Sequence, residues 1–239
     1  MNSTFLKGRN ALVTGGTRGI GFAIAEALAD AGASVAICGR STANLDHAVR
    51  RLTKGPERKV VGKVADVSSS TEVADLFAFV DQELGGVDIL VNNAGLGIFK
   101  RTADLSIEEW KTTLETNLSG TFYCSREVLQ RIKSRGGAYI INMGSLAGKN
   151  AFAGGTAYNA SKFGLKGFSE AMMLDHRYDN VRVTHIMPGS VDTEFSPGSE
   201  RADWKIAPED IAEIVLMLLR MPERTLVSRV EVRPSKPKK

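Results

Sequence analysis

Two side chains one helical turn apart are the first sign of chemistry in this sequence. Tyr158 and Lys162 are four residues apart in a stretch typical of a helix, so both lie on one face of it. A phenol has an ordinary pKa of about 10, and a neighbouring ammonium favours its ionised form. Ser145, at the end of a predicted strand, adds a hydroxyl that can hold developing negative charge. The three residue types predict a proton-transfer site.

A glycine-rich turn follows the first predicted strand. It reads Thr-Gly-Gly-Thr-Arg-Gly-Ile-Gly and opens a helix, with glycines spaced as T-G-x-x-x-G-x-G rather than the common G-x-G-x-x-G. Glycines let the backbone approach a pyrophosphate closely, and the free N–H groups of a helix N-terminus attract phosphates. We therefore expect a dinucleotide to contact this turn at Gly15, Thr17, Arg18, Gly19, Ile20 and Gly21.

The form of the dinucleotide follows from the end of the second predicted strand. An acidic residue about 20 positions beyond the glycine turn usually holds an unphosphorylated ribose. This sequence has Cys38, Gly39, Arg40 and Ser41 at that place. Arg40 and Arg18 can together grip a 2′-phosphate through charge-assisted, planar contacts. We expect the cofactor to be NADP(H), with Arg40 and Ser41 among its contacts.

Short apolar strands alternate with amphipathic helices along the whole chain, without a linker or a repeat. This alternation predicts one three-layer α/β domain over residues 1–239, a doubly wound parallel sheet of the Rossmann type. The predicted strands are 10–14, 34–38, 60–64, 87–91, 139–143, 181–187 and 226–232. The predicted helices are about 20–31, 45–52, 69–84, 106–133, 156–178 and 208–220. Ligands bind such sheets at the carboxyl ends of the strands, where the motifs above fall.

Composition excludes several other classes of protein. The chain of 239 residues is 43% hydrophobic and 24% charged, with a net charge of +4 that owes much to Lys236, Lys238 and Lys239. No basic stripe interleaved with aromatics predicts nucleic-acid binding, and no apolar run predicts a membrane span. Cys38 and Cys124 form no redox or metal pattern, which favours a cytoplasmic location. The histidines lack metal-ligand spacing, so we expect no metal site.

Together these motifs resemble those of the short-chain dehydrogenase/reductase family, in order and at familiar intervals over residues 8–193. The residues that carry the resemblance are Thr14 to Gly21, Asn92-Asn93-Ala94-Gly95, Asn117, Ser145, Tyr158, Lys162 and Pro188-Gly189. As a set they are highly specific, whereas the asparagine stretch and Pro188-Gly189 on their own predict only loops.

The resemblance implies a role for each matched residue. Tyr158 would be the general acid in reduction and the base in oxidation, while Lys162 would also bind the nicotinamide ribose. Ser145 would orient the carbonyl, and Asn117 would hold a water that links Lys162 to solvent. Further cofactor contacts would come from Asp66, Val67, Asn93, Ala94, Gly95, Pro188, Gly189, Val191 and Thr193.

Two segments bear on the substrate and the assembly. By resemblance, residues 194–207 would form a substrate lid, short and polar apart from Phe195, Trp204 and Ile206. The ending from Leu226 to Pro234 lacks the glycine-rich finish of many family reductases and is more similar to the branch that acts on short hydroxy acids and small carbonyls. Family members pair through two long helices, so a homodimer or homotetramer is expected.

The sequence therefore predicts an enzyme that reduces a ketone or aldehyde with NADPH, reversibly, with Tyr158 supplying the proton. Two alternatives stay open. The first is a 3-oxoacyl-[acyl-carrier-protein] reductase, although Asp175-His176-Arg177-Tyr178-Asp179 is of mixed charge rather than a basic docking face. The second is a catalytically silent NADP-binding sensor, which would be expected to have lost Ser145, Tyr158 or Lys162.

Overall fold

A seven-stranded parallel sheet organises the computed structural model, which describes residues 4–54, 57–195 and 202–237. The strands are β1 Asn10–Thr14, β2 Ser34–Gly39, β3 Val60–Val64, β4 Ile89–Asn92, β5 Ala138–Met143, β6 Val181–Pro188 and β7 Arg229–Val232. Their order in the sheet is β3-β2-β1-β4-β5-β6-β7. The first three strands are added outward from β1 on one side and the later strands on the other, so the strand order reverses between β1 and β4, and a crevice opens there at the carboxyl edge.

Seven α-helices cover the two faces of the sheet within the described ranges. They are α1 Gly19–Asp30, α2 Thr42–Leu52, α3 Ser70–Leu84, α4 Ile107–Leu114, α5 Gly120–Arg135, α6 Thr156–His176 and α7 Pro208–Leu219. Alternate strand residues face opposite layers: Val13 packs in the core with α1, α2 and α7, whereas Leu12 packs in the core with α3, α5 and α6. These layers confirm the three-layer α/β fold. No helix among the described residues is both long enough and apolar enough to cross a bilayer.

Side-chain caps explain where several elements begin. The Ser41 hydroxyl accepts the Asn44 N–H, so α2 begins at Thr42 rather than at the predicted residue 45. Ser69 caps α3 in the same way. Ser106 and Glu109 form the predicted reciprocal capping box at the start of α4.

The predicted helix over residues 106–133 is wrong as a single regular element. It divides into α4 and α5 around a π-helical turn, Glu115–Ser119. Such a turn holds one extra residue and is often found at functional sites. Here it carries Asn117, whose side chain is almost completely buried.

Other boundaries shift by a few residues for local reasons. β4 begins at Ile89 rather than residue 87, and just before it the Asp88 carboxylate accepts the Asn10 N–H at 2.8 Å. β7 begins at Arg229 rather than residue 226, since the Val227 carbonyl accepts the Thr184 hydroxyl at 2.7 Å instead of continuing the ladder. Of the predicted lid, residues 196–201 lie outside the described ranges, as do Lys238 and Lys239.

Candidate active site

The turn between β1 and α1 leaves the N-terminus of α1 open to a ligand. Arg18 occupies the cap position with an extended backbone and makes no capping hydrogen bond through its side chain. The first turn of α1 contains no acidic residue, in contrast to the capped starts of α3 and α4. Free N–H groups and the positive end of the helix dipole are therefore directed at the crevice, which suits a phosphate.

Close backbone packing explains the glycines of this turn. A Cβ on Gly21 would overlap the Gly15 carbonyl oxygen and the Asn93 side-chain amide, so no larger residue fits. Gly19 has φ of +54°, in the left-handed region that favours glycine. The loop after β4 is tied to the same turn, because the Thr14 hydroxyl accepts the N–H groups of Asn93 and Ala94, each at 3.0 Å. The turn and this loop therefore form one rigid cradle that fits a pyrophosphate.

The predicted adenosine-phosphate end carries two exposed arginines. The Arg40 guanidinium lies 3.9 Å from the Asp66 carboxylate, and that of Arg18 lies 3.3 Å from Glu194. Both arginine side chains are about two-thirds exposed, at 66% and 68%. Neither is buried by its partner, so each keeps donors available for an anion. Arg40 and Ser41 follow β2 with no carboxylate of their own, as a 2′-phosphate site requires.

Tyr158 and Ser145 meet at the other end of the crevice. Ser145 follows β5, and its hydroxyl accepts the Ala147 N–H at 3.1 Å at the start of a 3₁₀ turn. Burial raises the pKa of the Tyr158 phenol, and a hydrogen bond with Ser145 opposes that rise. The phenol therefore keeps its proton through the neutral range and is a proton donor in the state described here.

Lys162 lies one turn along α6 from Tyr158, as predicted, but is held by the sheet. Its ammonium donates to the Met143 carbonyl at 2.9 Å and lies 5.7 Å from the centre of the Tyr158 ring. Burial lowers the pKa of Lys162 to about 8. Burial is the larger influence on the pKa of Tyr158, and that the ammonium together with an oxidised nicotinamide ring favours the phenolate stays a prediction.

Asn117 serves a different set of partners from the one that the resemblance implies. Its Oδ1 accepts the Leu96 N–H at 2.8 Å, and its Nδ2 donates to the Leu96 carbonyl at 2.9 Å and to the Ser161 hydroxyl at 3.0 Å. These bonds tie the loop after β4 to helix α6, next to Tyr158 and Lys162. In this geometry Asn117 is a positioning residue, and the water relay stays a prediction.

A single cavity of about 1400 Å³ joins the two ends of the crevice. This exceeds the volume of an ordinary small-molecule pocket and can hold a dinucleotide together with a substrate. Of the predicted site residues, it is lined by Gly15, Thr17, Arg18, Gly19, Ile20, Arg40, Ser41, Asp66, Val67, Asn93, Ala94, Gly95, Ser145, Tyr158, Lys162, Pro188, Gly189, Val191 and Thr193. Gly21 and Asn117 do not line it. They pack against residues that do, Gly21 against Gly15 and Asn93, and Asn117 against Gly95.

Sequence reasoning missed several residues of the same cavity. Phe99 packs against Tyr158 and Phe152 packs against Phe99, while Leu146 and Pro234 meet at Gly189. These residues belong to loops and the C-terminal segment, where neither periodicity nor a motif marks them. Phe99, Leu146 and Phe152 are signalled only by their nearness in sequence to predicted site residues, and Pro234 has no such signal.

Comparison with known proteins identifies the family of the chain. A family model described as short chain dehydrogenase matches residues 9–203. An uncharacterized oxidoreductase of Staphylococcus saprophyticus is 34% identical over 233 residues, which cover 96% of this chain and 98% of the relative. The structure is similar to an alcohol dehydrogenase from Thermococcus sibiricus complexed with 5-hydroxy-NADP, with a TM-score of 0.88, 31% identity and coverage of 97% and 99% of the two chains.

A second solved structure, a metagenomic short-chain oxidoreductase in complex with NADP, has a TM-score of 0.86 and 33% identity over 97% of this chain and 99% of that one. The fold and the site define an NADP-dependent oxidoreductase. The chain belongs to the short-chain dehydrogenase/reductase family.

Proposed function

We propose that the protein reduces the carbonyl of a ketone or aldehyde to the alcohol with NADPH, and that the reaction is reversible. The observation that carries this proposal is the placement of a protonated phenol, Tyr158, beside the Ser145 hydroxyl in a cavity large enough for cofactor and substrate. When bound, NADPH supplies the hydride. The uncapped start of α1, with Arg18 and Arg40 nearby, supports phosphate binding at the opposite end.

Residues of the chain orient the substrate carbonyl and supply the proton that its oxygen receives. The Ser145 hydroxyl donates a hydrogen bond to the carbonyl oxygen, which polarises the C=O bond. As a C–H bond forms at the carbonyl carbon, the C=O π electrons move to oxygen and the Tyr158 hydroxyl gives its proton to that oxygen. The resulting phenolate recovers a proton from solvent. In oxidation the phenolate accepts the alcohol proton.

Lys162 supports both the cofactor and the phenolate. One of its N–H bonds is used by the Met143 carbonyl, which leaves two donors for other partners in the cavity. With a pKa of about 8 it is mainly charged at neutral pH, and it stabilises the phenolate that forms in each turnover. By resemblance it also binds the nicotinamide ribose.

The test compares Tyr158→Phe and Ser145→Ala with the parent enzyme on a panel of ketones and aldehydes, following NADPH absorbance. We expect kcat to fall by on the order of a thousandfold in Tyr158→Phe, with NADPH affinity retained. Turnover by Tyr158→Phe at the parent rate contradicts the mechanism. Tight NADPH binding without turnover of any carbonyl by the parent favours the sensor alternative.

We also propose that the chain assembles as a homodimer or homotetramer in the cytoplasm. Exposed apolar side chains on α5 and α6, Phe122, Phe163 and Leu174, support pairing through these helices. The two buried free thiols, Cys38 and Cys124, suit a reducing compartment. Sedimentation at micromolar concentration is expected to give no monomer, and a monomeric species contradicts the proposal.

A further inference from the structure

Three phenylalanines form a cluster at the Tyr158 ring, two in contact with it and the third through Phe99, and all leave part of their surface open. Phe99 packs edge-on against Tyr158 with ring centres 5.4 Å apart, and Phe195 lies 5.8 Å from Tyr158. Phe152 lies 5.8 Å from Phe99. Each phenylalanine is roughly two-fifths exposed, at 40%, 39% and 46% for Phe99, Phe195 and Phe152. Exposed apolar surface gathered at one place marks a binding site rather than a core.

The three rings come from separate parts of the chain and converge on one cavity. Phe99 follows β4, Phe152 precedes α6 and Phe195 follows β6. All three line the cavity that contains Ser145, Tyr158 and Lys162. Packing within one element therefore does not explain the cluster.

Two glycines make room for these rings. A Cβ on Gly97 would lie 2.6 Å from Phe99 Cζ and 2.8 Å from Phe195 Cε1. A Cβ on Gly155 would lie 2.8 Å from Cε2 and Cζ of Phe152. Any side chain at these positions would displace a phenylalanine ring from its present position. The rings pack against bare backbone on one side and face the cavity on the other.

Two lysines close to these rings in sequence, and Arg233 of the cavity wall, already have acidic partners. Lys100, adjacent to Phe99, donates to Glu109 at 2.6 Å, and Lys149 donates to Glu231 at 2.9 Å. Arg233, at the C-terminal side of the cavity, lies 3.3 Å from the same Glu231. A substrate carboxylate that paired with one of these three groups would have to compete with its acidic partner, whereas a flat apolar group needs only the ring faces.

We propose that the substrate carbonyl carries an aryl group, or another flat apolar group, that binds among Phe99, Phe152 and Phe195. The inference rests on the proposed carbonyl reduction and adds the substrate class. It differs from the short hydroxy acids to which the C-terminal resemblance points. Aromatic rings attract one another edge-on and in offset stacks beyond the effect of buried area alone, which favours a phenyl group over an alkyl chain of similar size.

The experiment measures kcat/KM for NADPH-dependent reduction of acetophenone, cyclohexyl methyl ketone, 2-butanone and pyruvate. We expect acetophenone to exceed 2-butanone by on the order of a hundredfold and to exceed cyclohexyl methyl ketone by several-fold. Pyruvate is expected to be the poorest substrate. Equal values for acetophenone and 2-butanone, or a preference for pyruvate, overturn the inference.

Variants test whether the preference for acetophenone comes from the phenylalanine rings of the cavity. Phe152→Ala should lower the ratio of acetophenone to 2-butanone by about tenfold, and Gly97→Ala, which pushes Phe99 and Phe195 towards the cavity, should lower it further. Tyr178→Ala removes an aromatic ring that is 91% exposed on the surface and should leave the ratio unchanged. An unchanged ratio in both cavity variants contradicts the assignment to these rings.

A binding measurement separates this inference from the proposed function. Saturation-transfer NMR of acetophenone is recorded with the NADPH-loaded Tyr158→Phe enzyme, in which turnover is blocked. A signal that Phe152→Ala weakens supports the aryl site even if the parent enzyme reduces no ketone, an outcome that would overturn only the carbonyl reduction. Reduction of 2-butanone with no acetophenone signal overturns the aryl site and leaves the carbonyl reduction in place.

Discussion

The two ends of the cavity are built in different ways. At the phosphate end, the turn from Thr14 to Gly21 depends on backbone atoms and on the absence of side chains, and its arginines are exposed. At the catalytic end, polar side chains are buried in the sheet, in the π-helical turn and in α6, among them Asn117 and Lys162. The shape of the phosphate end depends on room left by missing side chains, whereas the shape of the catalytic end depends on a set of buried hydrogen bonds.

A row of polar residues across three central strands supports the catalytic end. Asn92, Asn142 and His185 are paired in register on β4, β5 and β6. Asn92 donates to the Asn142 side chain at 2.9 Å, and Asn142 donates to the Ser169 hydroxyl of α6 at 2.9 Å. Buried polar groups cost free energy unless they are bonded, so this row fixes one arrangement of β5 against α6.

The row also fixes which ring nitrogen of His185 carries a hydrogen. The Ser169 hydroxyl donates to the Leu165 carbonyl at 2.7 Å, so it can only accept from His185 Nδ1, 3.3 Å away. His185 Nε2 is buried and has no partner among the described residues. Burial, together with the charges of Lys162, Lys166 and Arg229, lowers the pKa of His185 to about 4. The ring is therefore neutral in the folded protein.

The largest effect is expected at the phosphate end, from Gly21→Ala. The new methyl group overlaps the Gly15 carbonyl and the Asn93 amide, so the cradle must open. We expect NADPH to bind about a thousandfold more weakly, or about 4 kcal/mol, in calorimetric titration. Circular dichroism checks that the variant is folded. Glu26→Ala on the same helix is the control, and parent-like NADPH affinity in Gly21→Ala refutes the prediction.

The next prediction concerns the catalytic end and the pH dependence of the free energy of unfolding. Between pH 6.5 and about 4 the unfolded chain protonates His185 and the folded protein does not, so stability falls as the pH is lowered. The loss is up to about 3 kcal/mol. In urea unfolding, His185→Asn, which keeps a donor for Ser169 but cannot titrate, should lose less stability between pH 7 and pH 4.5 than the parent. His47→Asn, at an exposed histidine, should behave like the parent. The same acid sensitivity in His185→Asn as in the parent contradicts this account.

A smaller change is expected at the exposed arginines. Arg40→Ala removes a charge-assisted contact to the 2′-phosphate and should weaken NADPH binding about thirtyfold, or about 2 kcal/mol, with little change for NADH. Arg50→Ala, an exposed arginine on α2, is the control. A parallel loss for both cofactors in steady-state kinetics shows that Arg40 does not read the phosphate.

The smallest effect is a gain in stability from Lys162→Met. Because the folded-state pKa of Lys162 lies below its ordinary value, keeping the ammonium charged at pH 7 destabilises the fold, and the cost disappears only in alkali. The Lys162→Met substitution removes this cost but also loses the hydrogen bond to the Met143 carbonyl. The net gain in the free energy of unfolding is therefore about 1 kcal/mol. A thermal melt without NADPH should rise by about 2–4 °C while turnover is lost. Lys166→Met should show no gain, and a lower melting temperature for Lys162→Met refutes the prediction.

The features that the sequence predicted are those set by neighbouring residues, and the features that it missed are those set by contacts between distant parts of the chain. The glycine turn, the Tyr158–Lys162 pair and the strands of the sheet depend on local spacing and periodicity, and both can be seen along the chain. The π-helical turn at Asn117 depends on bonds to Leu96 and Ser161, which are distant in sequence. The phenylalanine cluster likewise arises only where three loops meet. Contacts of this kind leave no periodic signal.

The π-helical turn means that the length of the chain, as well as its composition, sets the catalytic end. One residue corresponds to about 100° of rotation around a helix. Deleting Leu118 would let α4 and α5 join in a more regular helix, yet every residue on one side of the junction would swing by that angle relative to the other. The carboxamide of Asn117 and the apolar face of α5 could not both stay inward. An irregularity that weakens the helix locally thus keeps two buried faces in phase.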